Sequence, residues 1–163
     1  DNPELHNSMF QGQVLIVDRD SLLSSVEKFD GIIVAVGVNS TRMLIAKWLQ
    51  DQGLRLMTVV HPAAIIADNV ALGVGTLVMP GAVINACSEI GENVIVNSGA
   101  IVEHDCRVGN GVHLAPGVVL CGNVTIGEGA FVGAGTVVVP GVKIAPDSFI
   151  KAGTIVKRDW GSN

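Results

Sequence analysis

From Ala64 to Asp159 the apolar residues return in a period of six. Written in sixes, the chain reads AIIADN VALGVG TLVMPG AVINAC SEIGEN VIVNSG AIVEHD CRVGNG VHLAPG VVLCGN VTIGEG AFVGAG TVVVPG VKIAPD SFIKAG TIVKRD. Sixteen hexads follow one another without insertion or deletion, and the third position is Ile, Leu or Val in every one. Those residue types make up about a third of the chain, so chance agreement in a fixed frame is on the order of 10⁻⁸. The first position is always Ala, Val, Thr, Ser or Cys, and the sixth is Gly, Asn or Asp except at Cys87.

Side chains alternate along a strand, so positions one and three of a hexad share an inward face. One is small and the other a branched aliphatic, which suits a narrow, evenly filled interior. Positions four to six form a turn, where Gly, Asn and Asp tolerate left-handed backbone conformations. Pro80, Pro116, Pro140 and Pro146 all fall at position five, inside that turn. Three hexads, each a strand and a turn, make one triangular coil, and stacked coils bury a core that no single repeat could bury alone.

Position two points outward, so every third hexad adds to the same external face. One face carries Ile65, Val83, Ile101, Val119, Val137 and Ile155, all apolar. The next carries Ala71, Glu89, Arg107, Thr125 and Lys143, a solvent face. The third carries Leu77, Ile95, His113, Phe131 and Phe149, apolar but for one histidine. Two apolar faces exceed what a soluble monomer exposes. They predict a heterologous contact that closes as a ring, and for a triangular prism a homotrimer, the aliphatic face of one copy on the His113 face of the next. His104 then lies at the rim of that contact. His113 is either a lone histidine in a packed interface or a functional group.

Ahead of the repeats, QVLIV and GIIVAVG read as strands, the second apolar enough to be buried on both faces. A short helix is expected over 20–28. A second runs from a cap at Asn39 to about Gln52, with Leu44, Ile45, Trp48 and Leu49 on one side and Gly53 ending it. LRLMTVV is a third strand, and His61-Pro62 leads into the coil. The succession is a piece of a doubly wound, Rossmann-like α/β unit with VGVNS at its ligand-facing end. It lacks a GxGxxG fingerprint, and the natural chain is expected to be longer at this end. The alternative is that this segment merely caps the coil. The division expected is a partial α/β nucleotide-sugar-binding unit over 1–60 and a β-helix over 61–160. The fold class is mainly β, a left-handed parallel β-helix preceded by that unit.

Composition narrows the partners. Only 15% of residues are charged and the net charge is −5, which argues against nucleic acid or an anionic membrane surface. No apolar run reaches the ~18 residues of a membrane span. The first residues, DNPELHNSMF, are not those of a secretory signal, and three cysteines without CxxC spacing read as free thiols of a cytoplasmic protein. His61, His104 and His113 lack close metal-ligand spacing, so no metal is expected and a zinc enzyme of the γ-carbonic anhydrase kind is disfavoured.

The repeat resembles the hexapeptide-repeat family. With the α/β segment, the VVHP link, NSGAIVEHDC, GVHLAPG and LCGN, the chain resembles one branch of it, the bacterial sugar O- and N-acetyltransferases. That branch includes sialic acid O-acetyltransferases and UDP-4-amino-sugar N-acetyltransferases of the bacillosamine type. The resemblance implies an acetyl-CoA-dependent acyltransferase of bacterial glycan biosynthesis. It implies a trimer with sites at subunit interfaces, and a nucleotide-sugar bound between the N-terminal unit and the coil. His104 is the general base it implies, with Asp105, where the family often has Glu, orienting the imidazole. Gly122, three hexads on and so one coil up, offers its N–H to the oxyanion and leaves room for the thioester. His113, Asn97 and Glu103 would contact the substrates, His113 from the adjacent chain. The amides near Ala134 and Ala152 would serve the pantetheine arm, although the columns do not put them beside His104. The chain departs from the family in lacking the Gly-rich first turn and the Gly-Asn-Pro-Ala-Lys tail. The EHDC-to-VHL spacing favours an amino-sugar acceptor over sialic acid, and a non-catalytic coil scaffold is the remaining alternative.

Overall fold

The computed structural model describes residues 9–10, 13–14, 19–24 and 30–161. From Val59 onward, two-residue strands stack in three parallel sheets, each strand pairing with the one three hexads further along the chain. An aliphatic sheet of six strands runs from Ile65–Ile66 to Ile155–Val156, and a polar sheet of five from Ala71–Leu72 to Lys143–Ile144. A third sheet, here called aromatic, has six strands from Val59–Val60 to Phe149–Ile150. The register pairs Ile101 with Val119, Arg107 with Thr125 and His113 with Phe131, as the outward columns predict. The result is a parallel β-solenoid of about five turns.

The pattern explains the core. Position-three residues such as Ile84, Val96, Val102, Leu114, Leu120 and Val132 are fully buried, as are Ala82, Ala100 and Ala130 at position one. At several polar position-one residues the side chain donates to a position-four carbonyl one coil on. Thr76 Oγ1 reaches Gly91 O at 2.8 Å, Ser88 Oγ reaches Glu103 O at 2.9 Å, and Cys106 Sγ reaches Cys121 O at 3.2 Å. Small hydroxyls and a thiol are tolerated inside because each finds an acceptor. From Gly75 to Gly153 every sixth residue has positive φ, including Cys87, Asn93, Asp105, Asn123 and Asp147. Thr58 makes the same donation, to Gly73 O at 2.9 Å, so Thr58–Ala63 is a further repeat ahead of the first hexad. Ala63 in place of Gly, Asn or Asp hid it in the sequence.

The segment before the coil departs from expectation. Strand Gln13–Val14 pairs antiparallel with Met9–Phe10, and helix α1 spans Arg19–Ser24; the remainder of QVLIV and of the 20–28 helix lies outside the described residues. Among the described residues, 31–37 and 54–57 form no sheet; they meet in one parallel bridge, Ile32 with Leu56. The second half of LRLMTVV instead joins the coil. Helix α2, Asn39–Asp51, is capped by Val38 without a side-chain bond, not by Asn39. Asn39 Nδ2 is committed to the coil, and its Oδ1 accepts from the Arg42 guanidinium at 2.9 Å instead of from a helix N–H. Leu44 is 71% exposed, and the buried stripe is Arg42, Ala46 and Leu49. The helix does end as expected. Gly53 has φ +75, its N–H donates to Gln50 O, and Leu54 N–H reaches back to Leu49 O, a Schellman closure packed by Leu49 and Leu54.

Helix α2 lies against the aromatic sheet. Asn39 Nδ2 donates to Gly129 O and Ala130 O, and Arg42 donates to Asn93 O and Gly111 O. The expectation of two free apolar faces is therefore corrected. The chain's own N-terminal segment covers part of the aromatic sheet, where Ile95 is buried, while the aliphatic sheet still shows Ile65 and Ile155 largely exposed.

Candidate active site

Glu103, His104 and Asp105 form the turn between the aliphatic and polar sheets. Asp105 has φ +59, and that left-handed turn brings its carboxylate back onto the preceding imidazole. His104 Nδ1 and Asp105 Oδ2 are 2.7 Å apart, both side chains exposed. The hydrogen bond that His104 Nδ1 donates to Asp105 raises the His104 pKa above its ordinary value. It outweighs the opposing loss of hydration, and the Asp105 and Glu103 charges add to it. A hydrogen-bonded carboxylate at Nδ1 holds a proton there and leaves Nε2 as the open nitrogen.

That open edge faces Gly122. A Cβ built on Gly122 would lie 2.7 Å from both Cε1 and Nε2 of His104, so only glycine accepts the ring in this position. In the ladder between coils, Gly122 O accepts from Gly141 N at 3.0 Å, and Asn123 N donates to His104 O at 2.9 Å. The Gly122 N–H takes no part in that ladder. The edge thus combines a paired imidazole, a carboxylate and an amide with no backbone partner among the described residues.

The other expected site residues stand elsewhere. Asn97 lies in the turn between the aromatic and aliphatic sheets, one edge away from Glu103, so these two are not neighbours within a subunit. Ala134 and Ala152 stack on Asn97's edge, Gly153 N donating to Ala134 O at 2.8 Å, and they are not beside His104. His113 is on the aromatic sheet, its ring edge-on to Phe131 at 5.1 Å, and Phe131 in turn is stacked on Phe149. His113 Nε2 is 3.1 Å from Asn97 Nδ2, and His113 Nδ1 is 3.2 Å from Gly37 O, both within the same chain. Burial lowers the His113 pKa, opposed by the bond to Gly37 and aided by the Arg42 charge.

Gly37 lies in VGVNS, the stretch expected at the ligand-facing end, but Arg42 escaped the sequence reading. Arginine at a buried helix position has no period to betray it, and only the docked coil supplies its acceptors. Beside them a cleft of about 570 Å³ opens between α2 and the aromatic sheet, lined by Gly37, Asn39, Met43, Glu128, Phe131 and Phe149. Neither His104 nor Gly122 lines it. Among the described residues no three His, Cys, Asp or Glu side chains gather as a metal set, and no helix is long and apolar enough to cross a membrane.

Comparison with known proteins agrees with this fold. The family described as bacterial transferase hexapeptide (six repeats) matches residues 87–122 and 123–158. A His-to-Asn variant of perosamine N-acetyltransferase from Caulobacter crescentus, solved in complex with CoA and GDP-perosamine, is 40% identical. It superposes with a TM-score of 0.88 over 91% of this chain and 71% of that one. The acetyltransferase domain of PglB from Neisseria gonorrhoeae, in complex with acetyl coenzyme A, is 34% identical, with a TM-score of 0.85 over 93% of this chain and 76% of that one. WeeI from Acinetobacter baumannii, 24% identical, shares the fold with a TM-score of 0.73 over 95% of this chain and 80% of that one. A search of curated proteins gives no match. Fold and edge together define a parallel β-helix built of six-residue repeats with an acid-paired histidine in one turn. The chain belongs to the hexapeptide-repeat family of bacterial transferases.

Proposed function

We propose that this protein is an acetyl-CoA-dependent acetyltransferase that N-acetylates a nucleotide-linked amino sugar, with His104 as general base. The observation that carries this reading is the 2.7 Å contact of His104 Nδ1 with Asp105 while Nε2 faces the glycine one coil up. The solved relatives that bind CoA with GDP-perosamine, or acetyl coenzyme A, support the substrate class.

In this mechanism the sugar amine attacks the thioester carbonyl as His104 Nε2 removes its proton. The Gly122 N–H stabilises the oxyanion of the tetrahedral intermediate. A C–N bond forms, the C–S bond breaks, and the proton held on His104 passes to the departing CoA thiolate. Asp105 keeps the imidazole in the tautomer that leaves Nε2 open and stabilises the imidazolium formed in the step.

Glu103, His104, Asp105 and Gly122 occupy one edge of the coil, and Asn97, His113, Ala134 and Ala152 the face and edge across the aliphatic sheet. A homotrimer that packs the aliphatic sheet of one copy against its neighbour brings the two groups into one site. In that arrangement Asn97, Glu103 and His113 contact the acceptor, and the turns at Ala134 and Ala152 carry the pantetheine arm. The free thiols Cys87, Cys106 and Cys121 suit a reducing cytoplasm, where acetyl-CoA is found.

The test is transfer of labelled acetyl from acetyl-CoA to a panel of GDP-, UDP- and dTDP-linked amino sugars, with sialic acid as the hydroxyl acceptor. An amino sugar is expected to be preferred, and His104→Ala is expected to lower kcat by about 10²- to 10⁴-fold. Full activity in His104→Ala would remove the base assignment, and preference for sialic acid would replace N- by O-acetylation.

A further inference from the structure

Arg42 is 1% exposed, and no carboxylate among the described residues lies within ion-pair distance of it. Burial alone lowers its pKa to about 10. Among the described residues its hydrogen bonds end on neutral oxygens. Nε donates to Asn93 O at 2.8 Å, Nη1 to Val36 O at 2.8 Å and Gly37 O at 3.4 Å, and Nη2 to Gly111 O at 2.7 Å, Val112 O at 3.4 Å and Asn39 Oδ1 at 2.9 Å. A buried guanidinium docks the helix through directed hydrogen bonds, each of which fixes the carbonyl it holds. The carbonyls it gathers come from two bodies: Asn93, Gly111 and Val112 from the coil, Val36 and Gly37 from the segment leading into α2. One of them, Gly37 O, is also the partner of His113 Nδ1.

The rest of the chain of bonds fixes a direction. Ser98 N–H donates to Asn97 Oδ1 at 2.8 Å, which sets the orientation of that amide and turns its NH₂ toward His113. An NH₂ facing His113 Nε2 makes that nitrogen an acceptor, and Gly37 O facing Nδ1 makes Nδ1 the donor.

We propose that Arg42 is a positioning residue for His113: by tying Gly37 to the coil it holds the carbonyl that keeps the imidazole proton on Nδ1, so that Nε2 stands as a fixed hydrogen-bond acceptor beside Asn97. The proposal rests on the reading above that His113 contacts substrate, and deepens it. Asn97 Nδ2 occupies the Nε2 lone pair, so a substrate group that reaches Nε2 has to bring an N–H or O–H that takes the place of that contact, because Nε2 has no proton to give. An amine or amide qualifies, and a bare carbonyl or phosphate oxygen does not.

The experiment is ¹⁵N NMR of ring-labelled histidines in the whole protein, above the histidine titration range, with His113 assigned by its loss in His113→Gln. Wild type is expected to show a protonated Nδ1 and an unprotonated Nε2 at His113. Arg42→Lys, which keeps the charge and loses the planar fork, is expected to mix the tautomers of His113 while the His104 signals stay put. It is also expected to lower kcat/KM for the acceptor by about 10- to 100-fold. If Arg42→Lys does not fold, Asn39→Ala removes a side-chain acceptor of the guanidinium and carries the same expectation. A wild-type His113 protonated on Nε2, or a folded variant with unchanged His113 ring shifts, would overturn the proposal. The spectra need no substrate, so failure of transfer to every acceptor would strike the functional reading and leave the tautomer result standing.

Discussion

A methyl group at position 122 would meet the His104 ring edge at 2.7 Å, and the ring, which faces solvent, would swing aside. Gly122→Ala is therefore expected to leave the thermal midpoint where it is and to cut kcat by at least about tenfold, since the base loses its position. Retained kcat would separate Gly122 from the chemistry. The companion prediction concerns pH. A general base acts deprotonated, so the rate rises with pH through the His104 pKa, which Asp105 holds above its ordinary value. Asp105→Asn removes the charge, and the acid limb of the kcat/KM profile is expected to move to lower pH. A limb that stays in place would assign it to another group. Of this edge the sequence revealed the pair and the stacking glycine, because adjacency and a coil of three hexads are both linear facts. It hid the ring's direction, which depends on the positive φ of Asp105.

Within the coil, glycine does two separable jobs. At Gly109 a Cβ would lie 2.6 Å from Glu128 N and 2.9 Å from Glu128 Cα, backbone that cannot step aside. At Gly141 nothing lies within 4 Å, but φ is +75. Gly109→Ala is expected to cost about 1–3 kcal/mol by overpacking, with no relief from Asn. Gly141→Ala costs about 1–2 kcal/mol of backbone strain, most of which Gly141→Asn recovers because Asn tolerates the left-handed region. Chemical denaturation of the four variants decides it, and equal rescue by Asn at both sites would refute the distinction. The hexad frame made the second job legible, since position six is Gly, Asn or Asp. The first could not be read, because the contact is with the next coil, whose closeness depends on how the corner folds. Helix α2 teaches the same lesson. Its C-terminus was readable from Gly53, whereas Asn39 resembles a cap and instead reaches across to Gly129.

For the molecule as a whole, the exposed aliphatic sheet is the feature that asks for a partner. Val119 stands in the middle of its outward column, between Ile101 and Val137. A charge there would be buried unpaired in a closed ring, so Val119→Lys is expected to sediment as a monomer and to lose acetyl transfer together with assembly. A wild-type monomer, or an active monomeric variant, would end the argument for a shared site.

Sequence alone determined the repeat, the inward and outward columns, the positive-φ turns and the edge bearing His104, because a solenoid's contacts recur at one fixed separation along the chain. Tertiary structure decided which apolar face stays open. It did so by laying α2 on the aromatic sheet through Asn39 and Arg42, contacts spanning up to 91 residues that no local period encodes. It also decided what His113 faces, since Gly37 lies 76 residues away in the chain and reaches the ring only when the helix docks.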